Sequence, residues 1–158
     1  MQTLLVDAAK LSERLRARGE TVAVGESSTG GLIAASLLAQ AGASAFFLGG
    51  AVLYTGHARE GLLGITPADM QGIRPATEAY ALLVARRLRE RLRATWGLAE
   101  TGAAGPAGNR YGDAAGHSCI AVSGPIEAVR TMETGSADRL ANMRTFASEA
   151  IMWLHGKL

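Results

Sequence analysis

A chain of 158 residues with 48 % hydrophobic and 19 % charged residues has enough apolar material for a core of its own, which argues against disorder. The net charge is only +2, and no apolar run is long enough to span a bilayer. Cys119 is the only cysteine, so an internal disulfide is excluded; with Asp7, Lys10 and Glu13 interrupting the N-terminal apolar positions, the expectation is a cytoplasmic protein without a secretory leader.

In chain order, Leu4, Ala8, Leu11 and Leu15 share one face of a helix over 3–18, and Gly19 suits its end. Residues 21–25 (TVAVG) form a short apolar strand, followed at once by Glu26-Ser27-Ser28-Thr29-Gly30-Gly31 and a helix over 32–40. A second strand is expected over 46–55, then a short helix over 57–63 ended by Gly64, a helical turn opening at Pro67, and a helix starting at Pro75. Tyr80, Val84, Leu88 and Leu92 repeat every fourth residue and carry that helix to about Trp96. Residues 98–101 form a third strand, and 102–116 a glycine-rich loop. Residues 118–123 and 128–134 form a hairpin turned by Gly124-Pro125. Ser136 is placed to cap a last helix with Leu140, Met143, Ala147, Ile151 and Leu154 inward. This order predicts one α/β domain: a three-layer α/β/α sandwich on a mixed sheet of about five strands.

Five arginines fall between Arg86 and Arg93. They coincide with the apolar stripe and lack interleaved aromatics, so a solvated helix face is favoured over a nucleic-acid site.

The stretch Glu26–Gly31 is the most informative. The first N–H groups of a helix have no intrahelical partner and carry partial positive charge, and glycines let a ligand approach them. Such a turn can hold a phosphate, a carboxylate or an oxyanion, and a serine in it can act as a nucleophile. The competing reading is that Ser27, Ser28 and Thr29 merely cap the helix. No spacing of His, Cys, Asp or Glu suggests a metal site, and no cofactor is expected.

The stretch ESSTGG resembles the E-S-C-T-G-G motif of the CinA C-terminal domain family, which includes bacterial nicotinamide-nucleotide amidases. Residues 42–65, the loop TGAAGPAG at 101–108 and the segment 135–154 resemble further family motifs in the same order, so the likeness runs from about 21 to 155. It implies a metal-free hydrolysis of nicotinamide mononucleotide to nicotinate mononucleotide and ammonia, with Ser27 as nucleophile. It further implies that Thr29, Gly30 and Gly31 surround the oxyanion or phosphate, that Tyr54 belongs to the site, and that Thr101, Gly102 and Gly105 wrap the nucleotide. A homo-oligomer is also implied.

Three departures stand out. Arg59 occupies the position of a family lysine; a lysine can accept the serine proton, whereas arginine stays charged and is suited to hold an anion. Thr55-Gly56-His57 replaces a Ser-Asn pair and its neighbour. Gly72-Ile73-Arg74-Pro75 replaces a G-A-V-S segment, without its serine. Substitute bases are His57, Tyr54 and Glu26. In the long loop, Arg110 is placed to grip a phosphate and Tyr111 to stack on a ring, while Arg139 matches a family arginine. Three functions follow: a pyridine-nucleotide amidase, a nucleotide-binding protein in which Arg59 has ended catalysis, or an interaction protein linked to competence or DNA damage. The chain opens about twenty residues before the motif, so the further N-terminal domain that full-length CinA proteins often carry is expected to be absent.

Overall fold

A computed structural model describes residues 2–158. Five strands, β1 (Val22–Glu26), β2 (Phe47–Val52), β3 (Trp96–Ala103), β4 (His117–Ser123) and β5 (Glu127–Glu133), form one mixed sheet in the order β2-β1-β3-β4-β5. β1 runs parallel to both neighbours, while β3, β4 and β5 are antiparallel. The helices are α1 (Gln2–Arg18), α2 (Leu32–Leu38), α3 (Gly56–Leu63), α4 (Glu78–Leu92) and α5 (Arg139–His155), with a 3₁₀ turn at Ala43–Ala45.

The chain is the expected α/β sandwich. On one face, Leu4, Leu11 and Leu15 of α1 and Phe146 and Ile151 of α5 are buried, and most of them share an apolar cluster with Val22, Val24, Leu98 and Ile120 of the sheet. On the other face, Tyr80, Val84 and Leu88 of α4 pack with Ala23, Ala99, Cys119 and Ala121. Small residues on this face let α4 lie close: a Cβ on Gly97 would overlap the carbonyl of Ala85 in α4. Gly97→Ala is therefore expected to destabilise the protein by about 1–3 kcal/mol, since backbone must move to admit one methyl group; denaturant unfolding measures it.

Several boundaries differ from the sequence expectation. α4 ends at Leu92, because Arg93 adopts a left-handed conformation (φ 53°) and closes the helix through its N–H to Arg89 and Glu90. Trp96 thus starts β3, which also takes in Gly102 and Ala103 from the expected loop. α4 begins after Pro75: Thr77 is its cap, accepting from Tyr80 N. The helical turn expected at Pro67 is present, with Met70 N donating to Thr66 O and Pro67 O, and is fixed by Asp69 accepting from Thr66 N and Oγ1. The cap of α5 is Asp138, accepting from Ala141 N, in place of Ser136, and Leu140 is exposed rather than inward.

The arginines of α4 are bound to the chain's own acceptors. Arg86 forms a bidentate pair with Glu127, Arg87 reaches Asp69 and the carbonyls of Leu63 and Gly64, Arg89 donates to Thr95 O, and Arg91 donates to Leu62 O.

Candidate active site

β1 delivers Glu26 to the interior, 1 % exposed, at the C-terminal edge of the parallel strands. Its carboxylate turns onto the start of α2, accepting from Gly31 N (2.9 Å), Ile33 N (3.1 Å) and Ala34 N (2.8 Å). Gly31 can precede the helix in a left-handed conformation (φ 98°) that other residues rarely adopt. Burial pushes the Glu26 carboxyl above its ordinary range; Ala34 N and the other donors oppose this, and the nearby Glu100 adds to it.

Glu100, on β3 and 2 % exposed, holds the other side of the turn. One oxygen accepts from Ser27 N (3.3 Å), Thr29 N (3.0 Å) and Thr29 Oγ1 (3.0 Å); the other accepts from Ser28 Oγ and Ser118 Oγ (3.2 Å). Gly30 N donates to Ser27 O and Leu32 N to Thr29 O. The amides just past Glu26 are thus largely occupied by the protein's own carboxylates and carbonyls. Ser28 and Thr29 hydroxyls are spent on Glu100, whereas the half-buried Ser27 side chain lines a cleft of about 630 Å³.

The chain's path explains how the walls converge. Leu53 N donates to Glu26 O (2.6 Å), so the exit of β2 lays Tyr54 and the first turn of α3 beside Ser27. Arg59 projects from α3 into the cleft, with its guanidinium 5.8 Å from the ring centre of Tyr80. Tyr80 is buried, and that burial raises its phenol above the ordinary value although Arg59 pulls it down. Thr101 and Gly102 of β3 also line the cleft; Thr101 Oγ1 accepts from Ala76 N (3.3 Å).

The opposite rim is the loop after β3. Asn109 ties it together, donating to Asp113 (2.8 Å) and accepting from Tyr111 N and Asp113 N. Arg74 clamps Asp113 with two hydrogen bonds (2.7 and 3.0 Å), and that clamp holds the Asp113 carboxyl down at about 2. Arg74 and Arg110 both lie against Tyr111, 5.3 and 5.1 Å from its ring centre.

Of the expected residues, Ser27, Tyr54, Arg59, Thr101, Gly102 and Arg110 therefore meet in one cleft. His57 does not: it is exposed beside a smaller hollow with Glu60 and Pro67. Glu26, Thr29, Gly30 and Gly31 lie outside the cleft lining, with Gly30 directed toward Met143. Gly105 is also set back; its carbonyl accepts from Arg139, whose other nitrogen reaches the Tyr54 hydroxyl at 3.4 Å. Among the described residues, no cluster of His, Cys, Asp or Glu could hold a metal ion, and no helix is long and apolar enough to cross a membrane.

His117 has partners that its sequence neighbours do not suggest. One ring nitrogen faces Glu133 Oε1 (2.5 Å) and the other Ala76 O (2.9 Å), with Asp113 3.9 Å away and Cys119 Sγ 3.5 Å away. Two acceptors on one ring favour the doubly protonated imidazolium. Burial works against that charge, but Glu133, the Ala76 carbonyl and Asp113 outweigh it and raise the histidine above its ordinary value. The stabilisation is complete below the ordinary histidine range and is lost as pH climbs through the raised value. Thermal melts are expected to show stability falling as pH is raised from about 6 to 8, with a flatter profile in His117→Gln.

Comparison with known proteins decides the family. The CinA C-terminal domain model matches residues 6–158. The chain belongs to the CinA C-terminal domain family. It is 36 % identical over 126 residues to a CinA-like protein of Nostoc sp. (strain PCC 7120), covering 80 % of this chain and 30 % of the relative. It is 39 % identical over 135 residues to a CinA-like protein of Anaeromyxobacter dehalogenans, covering 84 % and 33 %. The chain thus spans about a third of the length of these curated relatives. Among solved structures, a competence-damaged protein (CinA) superfamily protein of Klebsiella pneumoniae superimposes with a TM-score of 0.91 at 26 % identity, covering 98 % of this chain and 96 % of that one. The competence/damage inducible protein CihA of Agrobacterium tumefaciens gives 0.89 at 28 % identity, covering 98 % and 94 %. The family model and the curated relatives agree on the CinA family, and the solved structures share the fold of this chain.

Glu100 is the main site residue without a pointer in the sequence motif. The usable signal is a single carboxylate inside the apolar run Trp96-Gly-Leu-Ala-Glu-Thr, since a carboxylate buried in a strand must find donors. Tyr80 reads in the sequence as one member of an apolar stripe, and only the fold turns it toward Arg59.

Proposed function

We propose that this CinA-family chain is an amidohydrolase that converts nicotinamide mononucleotide to nicotinate mononucleotide and ammonia, with Ser27 as nucleophile. The observation carrying this reading is that Ser27 offers the turn's one side-chain hydroxyl free of Glu100, into a cleft walled by arginine and tyrosine. In this mechanism Ser27 Oγ attacks the carboxamide carbon and ammonia leaves. Water then cleaves the acyl-enzyme, freeing the carboxylate and restoring the serine. The fixed turn supplies orientation, because Glu26 and Glu100 lock the backbone on either side of Ser27. The cleft lining contains no Lys, His, Asp or Glu, so its phenols are its candidates for proton exchange. Tyr54, exposed and approached by Arg139, is assigned that role, and Arg110 with Tyr111 is assigned the phosphate and ring.

The same lack of an ordinary base favours a second reading, in which the cleft binds the nucleotide without turning it over. Ammonia release from nicotinamide mononucleotide by the purified protein separates the two: release supports the amidase, and binding without release supports the second reading alone.

A further inference from the structure

The charges of the cleft are unequal. Arg59, Arg74 and Arg110 line it, and no acidic residue does. Arg74 is neutralised by Asp113 from behind and serves as a platform for Tyr111. Arg59 and Arg110 have no carboxylate partner among the described residues, and they stand on different elements, α3 and the loop after β3. Each rests against a tyrosine ring, Tyr80 and Tyr111 respectively. Arg59 is on the Ser27 side, because the Leu53–Glu26 hydrogen bond sets the start of α3 beside the turn.

Two guanidiniums without a carboxylate partner, on separate elements of one cleft and each against a tyrosine ring, suit two anionic groups on one ligand. An arginine fork matches a carboxylate with two parallel hydrogen bonds, whereas a neutral carboxamide offers it one acceptor and an unhelpful NH₂ donor. We infer that the cleft is built to hold an aromatic mononucleotide in its carboxylate form, with Arg59 on the carboxylate and Arg110 on the phosphate, so that the acid binds more tightly than the amide. This rests on the nucleotide reading above and adds that an amidase with this cleft retains its product.

The test is calorimetry in the Ser27→Ala background, where no turnover interferes, using nicotinate mononucleotide, nicotinamide mononucleotide and inorganic phosphate. The acid nucleotide is expected to bind roughly tenfold or more tightly than the amide, the difference one charge-assisted contact makes. Arg59→Gln is expected to bring the ratio close to one; Arg110→Gln is expected to weaken both nucleotides and phosphate while preserving the ratio. Arg59→Lys, which keeps the charge but not the fork, is expected to give an intermediate ratio and serves if the glutamine variant does not fold. Equal or tighter binding of the amide, or a ratio unmoved by Arg59→Gln, overturns the inference and leaves the amidase reading standing. Failure of both nucleotides to bind removes the two together.

Discussion

Replacing Ser27 with alanine is expected to cut ammonia release from nicotinamide mononucleotide by roughly a thousandfold or more, the scale on which loss of a nucleophile acts. The protein should remain folded, with stability within about 0.5 kcal/mol of the parent, because the Ser27 side chain is half-buried at the cleft wall and outside the Glu100 network. The contrast with Ser28 sharpens the result. Ser28 Oγ is buried and donates to Glu100, so Ser28→Ala removes a structural donor and is expected to lower stability by about 1 kcal/mol with only an indirect effect on rate. A Ser27→Ala enzyme that turns over at the parent rate would sink the nucleophile assignment. A parent protein that binds nucleotide and releases no ammonia would place the chain with the non-catalytic reading, in which the Arg59 departure matters most.

Much of the architecture is legible in the sequence because it follows from periodicity. Leu4, Ala8, Leu11 and Leu15 lie on one buried face, and Gly19 (φ 63°) ends α1 as its position suggests. Gly64 closes α3 in the same way, and the Gly124-Pro125 turn joins β4 to β5. Boundaries set by a single residue's conformation are harder to see. Nothing local in Arg93 announces a left-handed cap, yet that residue ends α4 early and releases Trp96 to start β3. The cleft shows the same division. Ser27 stands out through its motif and Arg59 through the family resemblance, but the occupants of the turn's amides come from residue 26 itself and from residue 100, seventy-odd positions away. A helix N-terminus reads the same in sequence whether a ligand or the protein's own carboxylate fills it. His57 is close to the site in sequence but lines only the smaller hollow, whereas Arg59, two residues further along α3, borders both hollows and alone of the two reaches the cleft of Ser27.

Glu100→Leu is expected to cost about 3–5 kcal/mol and to disable the cleft, the range found when one partner of a buried polar network is removed. The leucine would leave Ser27 N and Thr29 N without an acceptor, together with the hydroxyls of Ser28, Thr29 and Ser118, in a buried turn. Glu100→Gln discriminates between shape and charge. Its amide oxygen can take the place of the oxygen that serves Ser27 N, Thr29 N and Thr29 Oγ1. Its NH₂ group then faces only Ser28 and Ser118, whose hydroxyls can rotate to accept. The glutamine variant is therefore expected to keep most of the stability and of the nucleotide affinity, while the leucine variant loses both. Denaturant unfolding and calorimetry on the pair measure this. A leucine variant as stable as the parent would mean that the turn holds its shape without Glu100, and a glutamine variant as damaged as the leucine would mean that the negative charge itself holds the backbone around Ser27.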